Sequence, residues 1–203
     1  IGLDPKLFTR KILINFFQRN ICKFKLLNNN LIDEIWKRKI KKKNYKIYKL
    51  PNSSVGQDYR IKINKIIFSL KKNNANYIFI TASENNAWLL NIRGCDNEFT
   101  PIPHCYILIN NKREIIFFCD LEKITTSFKR NFSKIKFVDI KSTSRYLTKI
   151  SEKNFILDKN TCSIFFENII KKNNKILDIQ DPIYNFKAIK NKKEIKNIKD
   201  AHI

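Results

Sequence analysis

Within the six residues Asn91-Ile92-Arg93-Gly94-Cys95-Asp96 the chain sets an amide, a guanidinium, a thiol and a carboxylate close together. They follow Thr81-Ala82-Ser83-Glu84-Asn85-Asn86-Ala87-Trp88-Leu89-Leu90 and precede Phe99-Thr100-Pro101-Ile102-Pro103. Two chemistries are open to such a loop. Arg93 and Asp96 can form a local ion pair on a solvated helix end, a contact that is common and weak. Cys95 beside Arg93 can instead carry a thiol of lowered pKa that oxidises readily. The flanking residues dictate how these groups are held. An apolar strand runs into a short helix bearing Trp88, Leu89 and Leu90, and Gly94 is the expected reversal point, because a residue without Cβ tolerates positive φ after a helix. Asn91, Arg93 and Asp96 then crowd onto the rim of a loop that leads into another apolar strand, with Trp88 packed beneath.

Other reactive constellations are not legible. The two histidines, His104 and His202, are far apart and belong to no His-x-x-x-His or Glu-x-x-His pattern, so neither is expected to bind a metal. No Gly-x-Ser-x-Gly elbow occurs, and three glycines, Gly2, Gly56 and Gly94, cannot build a phosphate-cradling loop. The five cysteines, Cys22, Cys95, Cys105, Cys119 and Cys162, lack paired spacing and read as reduced thiols of a cytosolic compartment. No apolar run reaches the length of a membrane span, and the first residues lack the pattern of a signal peptide. An autonomous thiol protein would need one strongly activated cysteine.

The 203 residues carry 41 Lys and Arg against 18 Asp and Glu, a formal charge of +23. Such a charge raises nucleic acid or an anionic surface as a partner, through Lys37 to Lys49 and Lys190 to Lys199. The excess is mostly lysine and travels with abundant Asn, Ile and Phe while Gly and Pro are scarce, the imprint of A/T-rich codons. Helix-turn-helix and zinc-finger spacings are lacking, as are strand aromatics at regular intervals. A basic nucleic-acid-binding module is therefore the alternative reading.

Periodicity predicts a remnant followed by a complete α/β unit. Thr9 caps a helix over 10–19 with Ile12, Leu13, Phe16 and Phe17 on one face, a strand follows over 22–27, and Asn30 caps a short helix bearing Leu31, Ile35 and Trp36. A lysine-rich connector covers 37–49. Beyond Pro51 come a helix over 57–72 with Ile63, Ile66, Ile67 and Leu70 on one stripe, a strand over 77–81, and the motif helix capped by Ser83. A hairpin pairs 104–109 with 114–119. Next are a helix over 121–131, a strand over 135–140, a helix over 144–150, a strand over 155–157, a helix over 161–172 and a strand over 176–179. Asp181-Pro182 marks a boundary before a linker helix and the first helix of a further domain. Strands separated by helices of these lengths imply a mixed sheet covered by helices. The lack of methionine and the helix begun at Lys192 lead to the expectation that both ends are cut.

The motif Ala87-Trp88-Leu89-Leu90-Asn91-Ile92-Arg93-Gly94-Cys95-Asp96 resembles the Ala-Trp-Leu-Leu-Asn-(Leu/Ile)-Arg-Gly-Ser-Asp signature of the three-domain Xaa-Pro aminopeptidases, of the creatinase and prolidase superfamily. Cys95 departs from the usual serine. Gly2-Leu3-Asp4-Pro5, Asn30-Leu31-Ile32-Asp33-Glu34-Ile35-Trp36, and Lys187-Ala188-Ile189-Lys190-Asn191 with Ala201-His202-Ile203 resemble further islands of that family in the same order. The resemblance implies a creatinase N-terminal α/β fold with a roughly six-stranded sheet. It divides the chain into the end of a first such domain (1–51), a second (52–181), and a linker with the first helix of a pita-bread catalytic domain (182–203). It also implies a parent enzyme, often a dimer, that releases an N-terminal residue preceding proline from peptides. That reaction uses two divalent cations, manganese as a rule, held by ligands beyond this chain, which would itself be a non-catalytic scaffold. Asn91, Arg93 and Asp96 would then line the rim of the groove admitting a peptide N-terminus.

Overall fold

A computed structural model describes residues 1–17, 23–36 and 45–202. Strand β1 (Gly2–Leu3) pairs in parallel with β2 (Lys25–Leu26), on either side of helix α1 (Arg10–Phe17) in sequence. Thr9 Oγ1 accepts the Ile12 amide at 3.2 Å, the expected cap. The apolar stripe of α1 finds no core among the described residues, since none of its residues is buried. Asn30 Oδ1 accepts the Ile32 amide at 3.0 Å and starts α2 (Leu31–Ile35). Residues 18–22 and 37–44, which hold the expected end of α1, the start of the second strand and most of the lysine-rich connector, lie outside the described residues.

The rest of that connector is not a simple linker, because Tyr48–Lys49 form strand β3. Next come α3 (Asn52–Val55) and α4 (Tyr59–Lys72), the latter beginning two residues later than expected because Asp58 accepts the Arg60 amide and caps it. Strand β4 (Tyr77–Ile80), the motif helix α5 (Ser83–Leu90) and β5 (Ile92–Arg93) follow. The hairpin is β6 (Tyr106–Asn110) and β7 (Ile115–Cys119). The helix expected over 121–131 is two pieces, a 3-10 turn (Leu121–Lys123) and α6 (Thr126–Asn131). Asp120 and Thr125 each cap a turn of their own, so the backbone restarts between them. Then come β8 (Ile135–Asp139), α7 (Thr143–Leu147), β9 (Asn154–Leu157), α8 (Ile164–Asn173) and β10 (Lys175–Asp178). The chain continues through α9 (Ile183–Ala188) and α10 (Lys192–Ala201), separated where Asn191 and Glu194 build a capping box.

Six strands form one mixed sheet in the order β10-β9-β4-β6-β7-β8. Alternation along each strand sorts the side chains onto two faces. Ile78, Ile80, Ile107, Ile109, Ile115 and Phe117 join Ile63, Ile66, Ile67 and Leu70 of α4 and Leu89 and Leu90 of α5 in one core. Phe79, Leu108, Ile116, Phe118, Phe155 and Leu157 face the other way, against Leu147 of α7 and Ile170 of α8. The expected mixed sheet of about six strands flanked by helices is therefore present.

The first residues are fastened to this unit at α8. Its leading amides, Ile164 and Phe165, donate to the carbonyls of Phe8 and Pro5 at 2.9 and 3.0 Å. Arg10 Nε donates to both oxygens of the buried Glu167 carboxylate, at 2.8 and 3.0 Å.

Candidate functional site

The motif helix leaves β4 through Ala82, which takes the cap position; Ser83 is the first helical residue, and its hydroxyl donates to the Cys105 carbonyl at 3.4 Å. The expected Ser83 cap is thus displaced by one residue. Asn86 holds the helix to the sheet by donating to the carbonyls of Ile80 and Cys105, at 3.2 and 3.0 Å.

The helix ends at Asn91, which takes the left-handed conformation (φ 56°, ψ 43°) expected of Gly94. Asparagine is among the few side-chain-bearing residues that visit this region readily. Gly94 serves a different purpose. A Cβ there would lie 2.8 Å from Pro103 Cβ and 3.1 Å from its Cα, so the glycine lets the loop cross the Pro101-Ile102-Pro103 segment.

Asn91 faces inward. It is buried, its Nδ2 donates to the Gln57 carbonyl at 2.8 Å, and its Oδ1 accepts from Lys62 Nζ at 2.6 Å. The Lys62 ammonium also donates to the Trp88 carbonyl at 2.7 Å and lies 3.8 Å from the centroid of the Trp88 ring. Only 1% of Lys62 is exposed, and burial holds its pKa down to about 8 despite the attraction of Glu194. This lysine went unread in the sequence, although it falls on the helical stripe of Tyr59, Ile63, Ile66 and Ile67, where a cation needs a partner.

The outer part of the loop is braced from two sides. Residues Ile92 and Arg93 pair antiparallel with Lys49 and Tyr48, and the half-buried Arg93 donates through Nη1 to the Ile92 carbonyl at 2.8 Å. Asp96 forms an ion pair with Lys123 and accepts the His104 amide at 2.7 Å. Arg93 and Asp96 do not pair with each other, so the local ion pair considered from spacing is absent. His104 makes a ring contact with the Tyr106 hydroxyl at 3.2 Å. Cys95, in the loop between Arg93 and Asp96, is exposed, while Cys105, Cys119 and Cys162 are buried. Burial pushes Cys119 up to about 12 and raises Cys105 and Cys162, the opposite of thiolate activation.

At its far side the motif helix meets α9 and α10. Trp88 Nε1 donates to Glu194 Oε1 at 3.1 Å. Asn191 and Asn197 donate to the carbonyls of Val55 and Ser54, at 3.0 and 2.8 Å, and seat α10 on α3. Gly56 (φ 72°) permits that seat, because a Cβ there would stand 2.5 Å from Asn191 Oδ1. Beneath them, Asn85 donates to Asp181 Oδ2 at 2.7 Å and accepts from Lys187 Nζ at 2.6 Å, and Asp181 in turn accepts the Ile183 amide. Two adjacent asparagines inside a helix, poor helix formers both, were the available signal for this buried network.

Among the described residues no three His, Cys, Asp or Glu side chains come together as a metal site, and no helix is long and apolar enough to cross a membrane. The described residues therefore do not supply the donor set of a dinuclear metal centre.

The family profile for the creatinase/prolidase N-terminal domain matches residues 38–194. An Xaa-Pro aminopeptidase of Drosophila melanogaster is 29% identical over all of this chain and 34% of its own length. Xaa-Pro aminopeptidase 1 of Dictyostelium discoideum is 28% identical, again over the whole chain and 34% of the relative. The crystal structure of an X-prolyl aminopeptidase from Caenorhabditis elegans, described as a cytosolic enzyme with a di-nuclear active site, superimposes with a TM-score of 0.87 at 23% identity. It covers 100% of this chain and 34% of that one. The chain thus spans about a third of the length of the curated relatives it matches. With the profile lying across most of its residues and the six-stranded mixed sheet in place, the chain belongs to the creatinase/prolidase N-terminal domain family.

Proposed function

We propose that this chain is the non-catalytic amino-terminal part of a metal-dependent, cytosolic Xaa-Pro aminopeptidase, an enzyme that releases the N-terminal residue preceding proline. In this reading 1–51 close a first domain, 52–181 form the second, and 182–203 lead into the catalytic domain, which holds the paired cations, manganese by expectation. The part described here acts as scaffold and as one wall of the substrate groove. The carrying observation is the doubly braced loop: Asn91 fixes its turn from inside, Lys123 and the His104 amide hold Asp96, and β3 backs Arg93. A loop fastened this way presents charged groups at fixed positions, which is what orienting a peptide terminus requires. Asn91 would set the rim's shape, and Arg93 and Asp96 its charge.

The test is Arg93→Ala at the equivalent position of a complete relative. The Michaelis constant should rise about tenfold with kcat nearly unchanged, the loss of roughly one charge-assisted hydrogen bond. An unchanged Michaelis constant together with an unchanged peptide-length preference would remove Arg93 from the rim.

A further inference from the structure

Lys62 lies where the motif helix, its turn and α10 converge. Its ammonium is covered by Trp88 and Asn91 of the motif helix and turn, while α10 packs on α3. The Trp88 ring is thus shared. One face sits over the Lys62 cation, and its N–H is bonded to Glu194, the residue that also closes the capping box of α10. We infer that Lys62 is a proton-controlled latch: its charged form holds Trp88 and Glu194 together and so keeps α10 docked beside the motif helix, and loss of its proton loosens that docking.

Linkage sets the direction. The charged groups facing Lys62 are Glu194 on α10 and the Asp58 cap, which favour its ammonium, and Arg93 on β5 and Lys65 on its own helix, which oppose it. Glu194 is the larger of the favourable pair. If docking of α10 brings up the group that favours the ammonium, then the ammonium must favour docking by the same factor. A neutral amine still donates to the Trp88 and Asn91 oxygens, but it loses the attraction to Glu194 and to the indole face. For the fold as a whole the sign is reversed. Burial places the Lys62 pKa at about 8, below the 10.5 of a free lysine side chain, so between those limits the folded state binds fewer protons and this group's contribution to stability rises with pH. The latch therefore predicts local release of α10 without global loosening. Because it is a property of this chain alone, it stands or falls independently of the peptidase reading.

The test is amide hydrogen exchange on the 203-residue chain between pH 7 and 9, corrected for the intrinsic pH dependence of exchange. Protection of residues 192–201 should fall roughly fivefold or more through a midpoint near 8, while that of α4 holds constant. Glu194→Gln removes the charge, and its single amide oxygen can accept from the Trp88 indole or from the Asn191 amide but not from both. It should show low α10 protection already at pH 7 and no further transition. Lys62→Met, if it folds, should likewise lose the transition. Protection of α10 that is independent of pH in the native chain, or a transition that survives in Glu194→Gln, would overturn the latch.

Discussion

Asn91→Ala is expected to destabilise the chain by about 3 kcal/mol, which would be read as a lowered urea midpoint with an unchanged slope. Three losses add. Lys62 Nζ, itself buried, loses the oxygen that accepts from it at 2.6 Å, and the Gln57 carbonyl loses its 2.8 Å donor. Leaving buried polar groups short of partners costs roughly 1–3 kcal/mol, more when one is charged. Alanine must also hold φ 56°, which penalises an ordinary L-residue by about 1 kcal/mol. Asn91→Gly separates the terms, because glycine accepts that backbone without strain but restores no hydrogen bond. It should recover roughly 1 kcal/mol and no more. A loss below about 0.5 kcal/mol in the alanine variant would mean that the turn is held by other contacts.

The second large effect is a stability that falls as pH rises through the acid range. Asp181 is buried between Asn85, Asp158 and the start of α9, and burial pushes its carboxyl up to about 6 from 3.8, against the pull of the Ile183 amide, Asn85 and Lys187. Between those values the folded state binds the proton and the unfolded state does not. This group's contribution is therefore fully favourable below pH 4 and is lost as pH climbs past 6. The difference in unfolding free energy between the native chain and Asp181→Asn, which cannot titrate, isolates the effect from other carboxylates. That difference should shift against the native chain by roughly 2 kcal/mol between pH 4 and pH 7. A difference that stays flat, or one that favours the native chain at neutral pH, would mean that the carboxylate is well stabilised where it sits.

The central strands of the main sheet were legible as short continuous apolar runs, since Ile107-Leu108-Ile109 and Ile115-Ile116-Phe117-Phe118 could be buried on both faces only under helices. Helix α4 was legible from its stripe, and the hairpin from Asn110-Asn111-Lys112. What escaped sequence reading depends on contacts across the chain. Strand β3 is two residues held extended by pairing with Ile92-Arg93, a partner more than forty positions on. Gly94 looked like a helix terminator because glycine usually is one; its actual reason is the Pro103 backbone, nine residues on. Of the three expected rim residues, Arg93 and Asp96 sit in the outer loop, while Asn91 turns into the core toward a lysine 29 positions away. A buried cation leaves a trace in sequence only as a lysine on the wrong face of a helix, and Lys62 is such a residue.

On the proposed reading this chain contributes a braced wall, and the hydrolytic centre belongs to the catalytic domain. The most direct measurement is release of the N-terminal amino acid from an Xaa-Pro-Pro peptide by the purified chain in the presence of manganese, with a complete relative as reference. The account predicts product at the level of the protein-free control at every metal concentration. Manganese-dependent turnover that co-purifies with the chain and is abolished by chelation would contradict it.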